Sequence, residues 1–157
     1  MCVCVCVSNF SLMSEHWDLV WQTPACSLHF NSQKATLVFK IYDIQSQTND
    51  DIIKPLKIIQ NIVKKIQGAN DAVVLVDLRH AKGFKFTMLW PIVQWIKESR
   101  DIFSKHLDCT YIVTGSNSVW VTIFNSLMMM VKTSRPVHIA SFEMTSKEHQ
   151  LIINSVP

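Results

Sequence analysis

The chain has 157 residues, of which 48% are hydrophobic and 17% are charged. This composition is typical of one globular domain with a proper core and excludes wholesale disorder. The net charge of +3 is small and the lysines are spread thinly, so nucleic acid is not an expected partner. No apolar run reaches the roughly 18 residues of a membrane helix, and we expect a soluble protein without a membrane span.

The first twelve residues differ from the rest of the chain. Residues 2–7 alternate cysteine and valine, as an in-frame TG dinucleotide repeat would encode. The segment also lacks the basic start and long apolar core of a secretory signal. We interpret residues 1–12 as a disordered or mistranslated leader, and residues 13–157 as a single domain that starts at Met13.

Only two cysteines, Cys26 and Cys109, lie beyond this leader, and they form no metal-binding motif. Reduced thiols in a cytoplasmic protein are the simplest interpretation. The six histidines are scattered singly, so the sequence predicts neither a metal site nor a cofactor.

Two strands joined by a polar turn are predicted early in the chain, at residues 26–30 and 35–44. Residues 17–21 are interpreted as a short apolar lead-in, because the turn signal Thr23-Pro24 follows them.

A first amphipathic helix is predicted next, since apolar residues recur at helical spacing from Ile52 to Ile66. Pro55 is tolerable only in the first turn, which puts the predicted cap near Asp50 or Asp51. Gly68 is the predicted stop.

The central strand is predicted at residues 72–78, where an unbroken run of valine and leucine is typical of a strand buried on both faces. A basic turn, residues 79–85, follows it. A second helix then opens, with Thr87 as the predicted cap and Pro91 in the first turn, and its apolar stripe extends to Phe103.

A further strand is predicted at residues 109–113, followed by a turn at 114–118 and a third helix at 119–131. This helix is apolar nearly all round, so we expect it to be buried, with Met128, Met129 and Met130 filling the core. An exposed apolar face would instead indicate a dimer or a lipid surface.

A last strand at residues 137–140 and a short helix opened by the capping box Thr145–Glu148 complete the chain. The predicted order is therefore β-β-α-β-α-β-α-β-α. Such alternation predicts an α/β fold with a single mixed, mostly parallel sheet and right-handed crossovers.

This order resembles the STAS domain, the fold of anti-sigma-factor antagonists, over residues 28–153. The strand that ends in Asp77-Leu78 matches the family's central strand. Where regulatory members carry Asp-Ser-Ser-Gly, this chain has Lys85-Phe86-Thr87-Met88. The resemblance thus implies a binding domain of this fold that lacks the phosphorylatable switch serine, and Thr87 is interpreted as a helix cap.

Residues 73–84, with the strand at 111–113 and its apolar helix, are also similar to the core of CRAL-TRIO lipid-binding domains. Those domains are usually larger, with extra helices around a lipid cavity. This second resemblance implies a lipid ligand.

Two loops follow neighbouring predicted strands, at the edge where open α/β sheets bind ligands. The first loop is a candidate partner-binding loop that consists of Arg79, Lys82, Phe84, Lys85, Phe86 and Thr87. The alternative is that this loop is a solvated turn. The second loop is a candidate anion-binding or ligand-binding loop at the start of a helix and consists of Gly115, Ser116, Asn117 and Ser118. The alternative is that these residues only cap the helix.

The sequence contains no hydrolase elbow, phosphate-binding loop or dinucleotide fingerprint. Asp77 is expected to pair with a loop cation, Arg79 or Lys82. We therefore expect a non-catalytic, cytoplasmic interaction or regulatory module that binds a protein partner or a second copy of itself. The alternative is a small carrier of a lipid or apolar ligand, which an apolar cavity between the third helix and the sheet would favour.

Overall fold

The computed structural model describes residues 16–45, 47–68, 71–83, 85–116 and 119–157. The predicted leader and the predicted domain start at Met13 lie outside these ranges and stay predictions.

Within these ranges, six strands form a single sheet, and their order in space follows their order in sequence. The first three strands pair antiparallel, and the third to the sixth pair parallel. The prediction of a mixed α/β sheet is thus confirmed. The strands are β1 (Asp18–Thr23), β2 (Cys26–Asn31), β3 (Thr36–Ile41), β4 (Ala72–Asp77), β5 (Leu107–Thr114) and β6 (Val137–Ser141).

Residues 18–21 of the apolar lead-in predicted at 17–21 belong in fact to β1, so the predicted element order was one strand short. The signal at Thr23-Pro24 is a turn, as predicted, but it joins two paired strands, and Thr23 lies opposite Cys26. The Thr23 hydroxyl accepts the N–H of Cys26 at 3.2 Å and closes this turn. β1 is an edge strand and half exposed, which explains why no apolar alternation marked it.

Among the described residues there are five α-helices, which connect or follow the strands. The predicted second helix is divided at the buried Ser99 into α2 and α3. The helices are α1 (Asn49–Lys65), α2 (Leu89–Glu98), α3 (Arg100–His106), α4 (Val119–Met130) and α5 (Lys147–Ser155). In the described part of the chain, none of them is long and apolar enough to cross a membrane.

The cap of α1 is Thr48, two or three residues before the predicted one. Its hydroxyl accepts the N–H of Asp51, and the Asp51 carboxylate accepts the N–H of Thr48 at 3.0 Å. The Thr48 hydroxyl also donates to the Asp51 carboxylate at 2.7 Å. This hydrogen bond, together with the one from the Thr48 N–H, lowers the pKa of Asp51. Pro55 consequently lies inside the helix, beyond the first turn. Its ring is buried against the core, so packing offsets the lost backbone hydrogen bond.

Two further caps differ from prediction. Thr87 does not cap α2, because a single 3₁₀ turn (Phe86–Met88) precedes that helix and Met88 takes the cap position without a side-chain hydrogen bond. The cap of α5 is Ser146, whose hydroxyl accepts the N–H of His149, while Thr145 donates to the carbonyl of Phe142 at 2.6 Å.

The two faces of the sheet carry different layers, because successive strand residues point to opposite sides. We call the side on which α1 to α4 pack the helical face; Leu37, Phe39 and Val74 belong to its core. We call the other side the α5 face. Its core combines strand and helix residues: Val38, Leu75, Val113, Ile152, Ile153 and Val156.

Candidate functional site

The carboxyl ends of β4, β5 and β6 meet at one edge of the sheet, because these strands are parallel neighbours. We call this the carboxyl edge. Both predicted loops lie there side by side, and a Cβ atom added to Gly115 would stand 3.6 Å from the carbonyl oxygen of Arg79.

Arg79 is held by the fold. Its Nε and Nη2 donate to the two carboxylate oxygens of the buried Asp77, each at 2.9 Å. Its Nη1 donates to Asn154 of α5 at 3.2 Å, and its guanidinium lies 4.3 Å from the centre of the Phe142 ring. The expected partner of Asp77 is thus Arg79, and this loop cation ties β4 to α5.

The backbone of the same loop is pinned to the segment after β3. The N–H of Lys82 donates to the carbonyl of Tyr42, and the N–H of Ile44 donates to the carbonyl of Lys82, both at 2.9 Å. Gly83 has a φ of +74°, which glycine adopts without strain. Lys85 Nζ donates to the Gln47 carbonyl at 3.1 Å. The loop is therefore ordered by its backbone, and the side chain of Lys82 stays exposed.

The other predicted loop residues divide into two groups. Thr87 and Ser116 are exposed at the carboxyl edge, and Gly115 is half-buried. The second group lies outside what the structure describes and consists of Phe84, Asn117, Ser118 and the side chain of Phe86. The anion site therefore stays a prediction.

Three large apolar side chains that the sequence analysis missed are exposed at this edge: Trp90, Val119 and Met144. Trp90, in the first turn of α2, is 64% exposed, and Lys97 Nζ lies 5.7 Å from the centre of its ring. The sequence did contain a signal. Trp90 shares a helical face with Gln94 and Lys97, so it is a tryptophan on the polar side of an amphipathic helix.

The prediction that α4 is buried nearly all round is wrong. Trp120 and Leu127 are its buried residues, whereas Met129 is 88% exposed and Met130 is 64% exposed. The reason is position, because α4 packs near the edge strand β6 and is covered on one side. The methionine run therefore fills the core only in part.

An apolar cavity of about 140 Å³ lies between the helical face and the helices above it. Its lining comes from strands β3 to β5, helices α1 to α4 and the segment before β6. The lining residues include Phe39, Leu56, Val74, Val76, Ile92, Trp95, Ile96, Thr110, Phe124, Leu127 and Arg135.

Two residues that line this cavity, Trp95 and Arg135, each carry a buried donor without an acceptor. Trp95 Nε1 and Arg135 Nε are both buried and form no hydrogen bond within the described residues. Buried donors of this kind are uncommon, since leaving one unpaired costs about 1–3 kcal/mol.

The described residues contain no group of three or more histidine, cysteine, aspartate or glutamate side chains that could hold a metal ion. Both Cys26 and Cys109 are buried and free, and burial raises the pKa of each thiol. Thiols of this kind are poor nucleophiles at neutral pH.

No protein-family model and no curated protein matches the sequence. Three chains among solved structures, with 8–10% identity, do match. SiaC of Pseudomonas aeruginosa has a TM-score of 0.52 at 8% identity, covering 80% of this chain and 98% of that one. Apo-SiaC from the same organism has a TM-score of 0.50 at 8% identity, covering 79% and 98%.

The third match is a chain in the crystal structure of the diguanylate cyclase SiaD in complex with its activator SiaC, also from Pseudomonas aeruginosa. It has a TM-score of 0.51 at 10% identity and covers 76% of this chain and 95% of that one. Nothing in these matches supports the CRAL-TRIO resemblance. At such identities the likeness concerns the fold, and this chain is similar in fold to SiaC.

Proposed function

We propose that this protein is a non-catalytic regulatory module of STAS-like fold that binds a protein partner through its carboxyl edge. Trp90 is the central contact. Lys82, Thr87 and Ser116 are exposed and belong to the surrounding polar surface. Phe84, Lys85 and Phe86 remain candidate contact residues of the same loop. The phosphorylatable serine of the STAS pattern is not needed for this binding.

The exposure of Trp90 is the observation that carries the proposal. Tryptophan is enriched among the few residues that supply most of the free energy of protein association. Trp90 is 64% exposed on a helix whose other side packs into the core. Val119 and Met144, on neighbouring connections at the same edge, add exposed apolar area, as is typical of an interaction surface.

Two lysines at the proposed surface favour an acidic partner, whereas the exposed Glu143, next to Met144, would oppose one. Lys82 is exposed and Lys97 lies beside Trp90. Arg79, in contrast, is neutralised by Asp77, so it belongs to the fold more than to the binding surface. A partner that offers an apolar pocket with carboxylates at its rim would fit this arrangement.

The structural comparisons support a binding role in a general way. A chain of similar fold occurs in the complex of SiaD with its activator SiaC. A non-catalytic role is further supported by the buried, high-pKa thiols and by the lack of a metal-binding cluster in the described part of the chain.

The proposal is tested by quantitative affinity enrichment from cells that express the full chain. We compare the unaltered protein with Trp90→Ala, Lys82→Glu and the control Leu151→Ala, which removes an equally exposed apolar side chain from α5. A partner should bind the unaltered chain and the control alike, and its affinity for Trp90→Ala should fall about 30-fold or more.

Lys82→Glu should weaken the same partner less and make the loss depend on salt, because a rim charge acts mainly through long-range attraction. The proposal is wrong if no protein depends on Trp90, or if a partner lost from Trp90→Ala is lost equally from Leu151→Ala.

A further inference from the structure

The cavity beneath α2 has a size that selects its ligand. Its volume is about 140 Å³, close to the roughly 150 Å³ of an engineered apolar cavity that binds benzene. Drug-sized ligands occupy pockets of about 300–1,000 Å³. A long acyl chain would therefore not fit, whereas a single aromatic ring would.

The lining of the cavity is almost wholly apolar; its polar residues are three hydroxyl residues, Thr110, Thr133 and Ser134, together with Trp95 and Arg135. Trp95 Nε1 and Arg135 Nε are buried and unpaired within the described residues. A ligand oxygen that accepts from these groups would remove two desolvation penalties at once.

Arg135 is fixed in place but its charge is not neutralised. Its Nη2 donates to the carbonyl of Ser104 at 3.0 Å. The preceding Ser134 donates to the carbonyl of Arg100 at 3.2 Å and holds the same segment against α3. Among the described residues, Arg135 has no carboxylate partner. A guanidinium next to an apolar cavity favours an anionic, planar acceptor.

We propose that this cavity is a binding site for a small carboxylate with an apolar body of about one aromatic ring. The ring lies among the apolar side chains of the helical face, and the carboxylate accepts hydrogen bonds from Arg135 and Trp95. This site is independent of the protein-binding surface proposed at the carboxyl edge.

The test is a fluorine NMR titration of the full chain with two matched probes. One is para-fluorobenzoate, and the other is para-fluorotoluene, which replaces the carboxylate with a methyl group. Both should show saturable binding, with para-fluorobenzoate about tenfold or more tighter, because its hydrogen bonds are charge-assisted.

Three variants locate the site. Arg135→Gln should lower the affinity for para-fluorobenzoate about tenfold or more and leave para-fluorotoluene within about twofold. Lys132→Gln, the control, removes the same charge from an exposed position nearby and should leave both affinities within about twofold. Ile96→Phe fills the cavity and should abolish binding of both probes while a thermal melt shows a folded chain.

The inference is overturned if neither probe saturates. It is also overturned if the preference for the carboxylate survives in Arg135→Gln, or if Lys132→Gln removes it equally, since a general surface charge would then explain it.

Discussion

The two faces of the sheet are closed in different ways. Four helices cover the helical face, and they leave a cavity of about 140 Å³ above the strands. One short helix covers the α5 face, where Leu75, Val113 and Ile153 are completely buried. Directed polar contacts also hold α5: Lys40 Nζ donates to the Val156 carbonyl at 2.8 Å, and Arg79 donates to Asn154.

The difference shows how the packing of each face determines whether space remains above the sheet. On the α5 face, hydrogen bonds from Lys40 and Arg79 attach the helix to the strands. On the helical face, several helices must fit each other as well as the sheet, and the short side chains Val74, Val76 and Thr110 do not fill the space beneath them. Room for a ligand is therefore expected on the helical face.

The largest expected effect comes from removing the polar connection on the α5 face. Asp77→Ala leaves the Arg79 guanidinium, only partly exposed, without its carboxylate, and α5 loses an attachment. We expect a loss of about 3 kcal/mol in the free energy of unfolding, measured by urea denaturation.

Glu143→Ala is the control, because Glu143 is an exposed carboxylate near the carboxyl edge. This variant should change the free energy of unfolding by less than about 0.5 kcal/mol. Equal losses in the two variants would contradict the role given to the Asp77–Arg79 pair.

A matched pair of substitutions compares packing on the two faces. Val113→Ile adds one methylene to the filled α5 face and should destabilise the protein by about 1–3 kcal/mol. Val74→Ile adds the same group beside the cavity and should be neutral or stabilise by up to about 0.8 kcal/mol. Urea unfolding measures both. If the two variants lose stability equally, the faces do not differ in packing.

The polar residues beside the α5 face predict a dependence on acid. Burial, with the positive charge of Lys40 added, lowers the pKa of His29 from its usual value of 6.5. Burial also lowers the pKa of His149 from 6.5. The folded state thus disfavours protonation of both rings, and the unfolded state takes up protons more readily.

Their contribution to stability is therefore fully present above pH 6.5 and is lost as the pH falls below that value. Urea midpoints at about pH 7.5 and about pH 5.5 should differ, with the protein less stable in acid. His29→Gln should reduce this difference, and the exposed control His80→Gln should retain it. A difference unchanged by His29→Gln would show that His29 does not cause it.

The smallest expected effect on stability concerns the carboxyl edge, outside both packed faces. Trp90→Ala removes an exposed ring and should change the free energy of unfolding by less than about 0.5 kcal/mol. A melt that shows a larger loss would mean that Trp90 packs against the fold and is not available to a partner.

Much of the fold could be predicted from the sequence. The apolar runs of β4 and β5, the turn after β1 and the helical spacing of α1 each reflect local physical preferences. The pairing of Asp77 with a cation of its own loop was also predictable. By contrast, β1 was missed because an edge strand needs no apolar alternation. The observed helix caps, Thr48, Met88 and Ser146, differ from the predicted ones because the conformation of the neighbouring turns determines where each helix begins.

The candidate site was less predictable. Parallel strands brought the two loops together, as expected. The exposure of Met129 depends on where α4 packs on the sheet, which its composition does not reveal. The cavity arises where side chains from four helices meet, and no local pattern encodes that volume. The exposure of Trp90, in contrast, could have been predicted, because the sequence places this large aromatic residue on a polar helical face.

A crystal structure of the full chain under xenon pressure would test the difference between the two faces most directly, since xenon enters dry apolar cavities. We expect xenon between the helical face and α2, beside Val74 and Ile96, and none between the sheet and α5. Xenon bound beneath α5, or a helical face without xenon, would contradict it.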